Sequence, residues 1–371
     1  MNTRKTVRWI GLALVAAFVL VACAPAATPT AQVVVQTQVV RETQVVEVQV
    51  TTVVRETQVV QQTQIVEVTR EPLVIHVAYP SIVDMEDIPS VMAHELLAGQ
   101  GYSVVPTFYA QPELSVQALS SGDADFGNGA DRTFWAANLQ GANILTIMEQ
   151  ASNGWSIYAV PDIQACADLG GRIFAQHSEG SVSYAMSRAY IKENCPGTEA
   201  NILILPGSEN RRAALLAGEI EATPVELADA IQIEIAAPGQ FHQLTRFAAD
   251  VPQLKTTLMY VNGDFARDHP DAVKDYIRAV LTVNRMIAAD HNLLQAEAAK
   301  WLAIDPEVLP KVIEGQFAQN SWDVNGGLTV EAVEYSIQFF TESGSLEPGL
   351  SAAEIADLSF LNAVLDEIGR Q

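Results

Sequence analysis

From Leu73 onward the chain alternates short apolar runs with segments of helical period, and that order constrains the fold more than any other feature. Residues 73–78 read as an apolar strand. Ile88, Val91, Met92, Glu95 and Leu96 then fall at helical spacing, with Asp87 as N-cap and Gly99 or Gly101 as the stop. Residues 103–109 read as a second strand, and Pro112 suits the first turn of a helix ending near Ser121-Gly122. A third strand over 123–127, a helix over 132–140 and a strand over 143–148 follow. Such βαβα order predicts an open, mostly parallel sheet whose ligand loops lie beyond the carboxyl ends of the strands.

The first 71 residues are of another kind. Arg4, Lys5 and Arg8 precede a short apolar run over 10–21, which predicts a secretory signal over 1–22, too short for a comfortable transmembrane helix. It closes on Leu20-Val21-Ala22-Cys23, which resembles a bacterial lipobox and implies a diacylated Cys23 and anchorage to the membrane outside the cytoplasm. Residues 23–71 read as a low-complexity stalk. Within it, Val39-Val40-Arg41-Glu42-Thr43-Gln44-Val45-Val46 recurs unchanged at residues 53–60, a 14-residue period. Two heptads fit that period, but the β-branched Val and Thr favour extended chain, so a spacer without a fixed fold is expected.

About 349 residues remain after cleavage, too many for one core and comfortable for two lobes. The whole chain carries 44 Asp+Glu against 21 Lys+Arg, a formal charge of −23. That field excludes nucleic acid and anionic headgroups as partners. Beyond Cys23 there are Cys166 and Cys195. In an oxidising compartment their simplest arithmetic is one disulfide, worth roughly 3 kcal/mol for a loop of this span, with two buried free thiols as the alternative. Two sulfurs with no neighbouring histidine do not read as a zinc site.

Four segments carry a resemblance. Ala118-Leu119-Ser120-Ser121-Gly122-Asp123-Ala124-Asp125-Phe126-Gly127 resembles a signature of extracytoplasmic solute-binding proteins, the subgroup serving importers of sulfonates, nitrate, thiamine-pyrimidine precursors and riboflavin. Ala167-Asp168-Leu169-Gly170-Gly171-Arg172-Ile173-Phe174-Ala175 is similar to the segment opening that family's second lobe. The runs 213–222 and 265–273 follow in the family's order. The resemblance implies a two-lobed periplasmic-binding-protein type II fold. Lobe I is expected over 72–160 and 257–371 and lobe II over 161–256, with crossings near Tyr158-Ala159-Val160 and Thr257-Leu258-Met259-Tyr260. It also implies a monomer that hands a small solute to a permease and ATPase, with no cofactor and no reaction of its own.

Candidate ligand residues follow from loops at strand ends. They are Tyr79, Pro80 and Asp84 after the first strand, Asn128, Asp131 and Trp135 after the third, and Asn153 and Trp155 before the first crossing. Lobe II offers Ser178, Glu179, Ser181 and Tyr184, then Glu226 at a position where the family has a tryptophan nearby and this chain does not; Trp322 is a candidate cap. Each has a scaffold reading. Tyr79 and Trp155 serve equally as core or hinge, Trp135 as packing beneath the sheet, Asp131 and Ser178 as helix caps, Glu179 as a solvated charge and Trp322 as a surface cover.

With Asp84, Asp131, Glu179 and Glu226 at the cleft and Arg132 the cation nearby, a sulfonate or nitrate is disfavoured. A neutral or weakly basic ring sandwiched by Tyr or Trp is expected instead, riboflavin fitting best and a thiamine pyrimidine next. Pyrimidine synthases share the implied fold, but they need a cysteine-rich cluster and an active-site histidine. The six histidines here form no i, i+4 pair or HExxH, and no G-x-S-x-G or P-loop occurs. A sensory lipoprotein that binds without transport is a further alternative.

Overall fold

In this computed structural model the described residues are 31–46, 54–69 and 72–371. The expected signal peptide over 1–22 and lipidation site at Cys23 lie outside them. The chain divides into two units at residue 71, and each is described by itself. In the first, β1 (Ala31–Val46) and β2 (Val54–Thr69) pair antiparallel, from Ala31 opposite Thr69 to Val46 opposite Val54. Extended chain is what the β-branched repeat predicts; the pairing into a hairpin is additional to that expectation.

The second unit holds two five-stranded mixed sheets. The first runs in the order β4 (Tyr102–Phe108), β3 (Leu73–Tyr79), β5 (Phe126–Ala130), β12 (Thr257–Asn262), β6 (Ile144–Ala151). β3 pairs parallel with β4 and β5, whereas β12 is antiparallel to both its neighbours. The second sheet runs β11 (His242–Arg246), β7 (Ser156–Ala159), β10 (Ala222–Val225), β8 (Ile173–Gln176), β9 (Asn201–Ile204). Its β8–β9 and β8–β10 pairs are parallel, and β7 is antiparallel to β10 and β11. The chain therefore passes to the second sheet over residues 152–155 and returns over 247–256. Tyr158 and Ala159, expected at the first crossing, already lie in β7 because their backbones pair with β10 and β11.

Local chemistry fixes the element ends. Pro112 occupies the first position of the helix Pro112–Ser121, where its missing N–H costs nothing, and Gly122 ends it at φ 81°. Ala124 N then donates to Ala118 O, so the chain straightens only at Phe126, later than the strand expected over 123–127. The helix Ile88–Gly99 starts where Asp87 predicts, but the Asp87 carboxylate does not cap it. It accepts instead from Asp84 N at 3.2 Å and Gln150 Nε2 at 2.7 Å. Asp84 does the capping, one turn earlier, accepting from Glu86 N at 3.0 Å.

A core of Ile75, Val77, Ile88, Leu97, Phe126 and Met259 lies where the first sheet meets the helix Ile88–Gly99 and the 20-residue helix Pro270–Ala289. Phe126 stacks on Tyr276 with ring centroids 4.1 Å apart.

Cys166 and Cys195 are joined in a disulfide, Cα–Cα 5.7 Å, which ties a short turn of the second lobe to the end of the helix Val182–Asn194. Replacing both with serine should lower stability by roughly 3 kcal/mol in chemical unfolding, since the bond restricts a 29-residue span of unfolded chain. An unchanged midpoint would show that the cross-link adds nothing.

Candidate functional site

Between the two sheets, at the carboxyl ends of β3, β5, β8 and β10, lies a cavity of about 80 Å³. Pro80, Asp84, Glu86 and Asp87 line it from the loop after β3, Gly129 from the end of β5, Thr256 from the end of the return passage and Thr257 from the start of β12. His177, Ser181 and Glu226 face it from the second lobe, and Trp155 from the first passage. A neighbouring cavity of about 260 Å³ shares Ser81, Asp84, His177 and Glu226 and extends to Arg212, Asp229 and Trp301. Gly129 is required where it stands. Its φ is +124°, and a Cβ there would sit 2.8 Å from Pro80 Cγ.

Ser181 caps the helix Val182–Asn194: its hydroxyl accepts from Tyr184 N at 3.3 Å and donates to Ser178 O at 2.8 Å. Glu226 occupies the N-cap position of Leu227–Ala236. The first of these helix turns is capped by the Ser181 hydroxyl; the second has the Glu226 carboxylate at its N-cap position but no bond from that carboxylate to the helix N–H groups. Residues of the two lobes also touch beside the cavity: Arg132 Nη2 donates to Glu179 O at 3.1 Å and Thr133 Oγ1 to Gly180 O at 2.9 Å.

Burial sets the electrostatics. It raises the Asp84 carboxyl well above its ordinary range, with the charges of Asp87, Glu226 and Glu86 adding to the effect. Glu226 is raised in the same way, by burial first and then by Glu86 and Asp229, with Arg211 opposing. Burial takes Glu86 up to about 7 despite a 2.9 Å bond from Thr257 Oγ1. Asp87 reaches about 6, held back by the bonds from Asp84 and Gln150. His177 goes the other way, to about 4, because burial and then the nearby Arg211 disfavour its cation. Arg212 is paired with Asp229 at 2.6 Å. Trp155 Nε1 and Thr256 Oγ1 are buried without a hydrogen-bond partner, and both residues line the cavity.

Of the residues expected from sequence, Pro80, Asp84, Trp155, Ser181 and Glu226 are brought together here. Tyr79 is not: it is wholly buried in the core, its hydroxyl 2.5 Å from Ser90 Oγ and its ring stacked on Phe108. Trp135 packs beneath the sheet and donates to Thr146 Oγ1 at 3.1 Å. Trp322 lies in the first core, donating to Glu86 O at 3.3 Å, because its loop folds inward rather than over the cleft. Asn128 donates to Ser90 Oγ at 2.9 Å from a fully buried position. Asn153 shapes the passage between sheets, accepting from Trp155 N at 3.2 Å. Ser178 reaches Glu113 Oε1 at 3.4 Å; Tyr184 and the exposed Glu179 lie outside both linings. Asp131 opens the helix Asp131–Leu139, and its side chain is outside the described part.

Sequence reasoning missed Glu86, Asp87, Thr256 and Thr257. The acidic run Asp84-Met85-Glu86-Asp87 was the available signal for the first two; the threonines carry none.

A family model described as NMT1/THI5 like matches residues 96–290. No curated protein sequence matches this chain. Among solved structures, the alkanesulfonate-binding protein SsuA from Xanthomonas axonopodis pv. citri, bound to MOPS, is similar at 15% identity and TM-score 0.62, covering 78% of this chain and 99% of that one. The periplasmic nitrate-binding protein NrtA from Synechocystis PCC 6803 is similar at 12% identity and TM-score 0.65, covering 81% and 90%. A ligand-binding component of an ABC-type import system from Staphylococcus aureus, with zinc bound, gives 14% identity and TM-score 0.65, covering 79% and 99%. Likeness at these identities establishes the shared two-lobed fold.

Proposed function

Because this chain belongs to the NMT1/THI5-like family, we propose that it is the extracytoplasmic solute-binding component of an ABC importer, capturing a small nitrogen-containing heteroaromatic solute and presenting it to a membrane permease and its ATPase. The observation that carries this reading is the interlobe cavity, lined from both sheets by polar side chains and by Trp155. Lobes meeting around a buried ligand suit capture and release by hinge motion, and nothing in the reading requires bond chemistry. The protein acts as a monomer, held outside the membrane through lipid on Cys23, with the N-terminal segment as spacer. Mass spectrometry of the mature N-terminus tests the anchor: an unmodified Cys23 would remove it.

Riboflavin and a thiamine-pyrimidine precursor are the two solutes this reading entertains. The pyrimidine is favoured by two features of the lining: one aromatic in the smaller cavity, Trp155, where a sandwich needs two, and several carboxyl groups able to accept from an exocyclic amine. Titration of the full chain followed by flavin quenching and by calorimetry with the pyrimidine separates them. Heat with the pyrimidine and no quenching is the expected result; micromolar quenching reverses the preference, and neither response at millimolar solute defeats the heteroaromatic assignment. Trp155→Ala should weaken the bound solute by about 1 kcal/mol or more, measured in the same titration.

A further inference from the structure

The lining narrows the chemistry of the solute beyond its ring. We propose that the cleft takes its solute as an organic cation with at least two separated N–H donors, held between Asp84 of one lobe and Glu226 of the other. The inference deepens the solute-binding reading above and rests on it.

Four carboxyl groups, Asp84, Glu86, Asp87 and Glu226, line the smaller cavity, and its lining contains no lysine or arginine. Arg212 is paired with Asp229; Arg211, wholly buried outside both linings, donates from Nε to Pro224 O and from Nη1 to Leu205 O, keeps Nη2 without a hydrogen-bond partner and offsets only part of the charge of Glu226. His177 favours its neutral form, so it does not supply the missing positive charge. At pH 8, where Glu86 and Asp87 are ionised, a neutral solute would leave their charge uncompensated and an anion would add to the repulsion.

The acidic residues do not stand alone as evidence for a ligand. Trp155 Nε1 and Thr256 Oγ1 are buried, unpartnered and part of the same lining, with residue exposures of 7% and 0%. An unmade hydrogen bond at a buried donor is costly, so the solute also carries an acceptor opposite Trp155; benzamidine has none and therefore tests the carboxyl contacts alone. A bare metal ion is a poor fit, because among the described residues no three His, Cys, Asp or Glu side chains converge closely enough to hold one. Carboxyls spread along a cavity suit a molecule with donors at more than one end.

The test uses one ring in three charge states, titrated into the full chain at pH 8 by calorimetry and thermal melting: benzamidine, benzamide and benzenesulfonate, with riboflavin alongside. Benzamidine should bind and raise the melting midpoint, benzamide should bind at least tenfold more weakly, and benzenesulfonate should not bind. Benzamide or benzenesulfonate matching benzamidine overturns the proposal, as does absence of benzamidine binding at millimolar concentration. If riboflavin or benzenesulfonate binds while benzamidine does not, the cationic assignment falls and solute capture stands. Silence from all four ligands, together with no small molecule in mass spectra of the purified chain, takes down both.

Discussion

Changing Glu226 to glutamine should make the unliganded chain more stable at pH 8, seen as a higher melting temperature, and leave it nearly unchanged at pH 5. The asymmetry is the informative part. In the folded chain burial and the neighbouring Glu86 hold the Glu226 carboxyl well above its ordinary range, whereas the unfolded chain ionises it freely. At pH 8 folding must therefore either take up a proton or bury a charge. Glutamine avoids both, keeping the shape and an acceptor oxygen. At pH 5 the native carboxyl is already neutral in the wild type, so little is gained. The same substitution should weaken benzamidine binding at least tenfold, so stability and capture move in opposite directions. A variant destabilised at both pH values would mean that Glu226 serves the scaffold, most simply through Arg211.

A second large effect concerns the unmodified chain. The acidic cluster's share of its stability should fall as pH rises from about 4 through 7, against an opposing gain up to about 6.5 from His94 and His177, which burial holds neutral down to about 4. Glu86 moves from an ordinary 4.5 to about 7 and Asp87 from 3.8 to about 6, both through burial first. A carboxyl whose folded pKa is raised binds its proton more tightly in the native state than in the unfolded one. It therefore favours folding below the folded pKa, and that advantage is lost between the unfolded value and the folded one. A shift of this size in one group corresponds to about 3 kcal/mol. The two groups interact, so the loss belongs to the cluster rather than to either residue. Urea unfolding of the wild type and of Glu86→Gln at pH 5 and pH 8 isolates it; an equal pH response in the two chains would show that the cluster is solvated or paired in solution. A bound cation should reverse part of the loss, because it stabilises the ionised form, and its affinity should accordingly rise with pH over the same window.

The alternation of strand and helix was readable because the helical segments end on Gly122 and start on Pro112, residues whose backbone limits are local. The site was readable only in part, and the reason is directional. A strand-end position identifies a loop, but which side of the loop faces the cleft is decided by packing. Tyr79 and Asp84 sit in one loop region: the first turns inward to Ser90 and Phe108, the second toward the cavity. Aromatic residues were overestimated on the same ground, since Trp135 and Trp322 found buried acceptors for their indole N–H groups and had no reason to face a ligand. Thr256 ends the return passage, and Thr257 begins the strand β12, which only the fold brings back into the first sheet.

The bonds from Arg132 and Thr133 to the carbonyls of Glu179 and Gly180 span the two halves through main-chain acceptors alone. A clasp of that sort uses no side chain of the cavity as its acceptor, so it resists opening whether or not a solute is held. Under the proposed function, what then distinguishes a filled from an empty cleft is the charge of Asp84, Glu86, Asp87 and Glu226 left without a counter-ion inside.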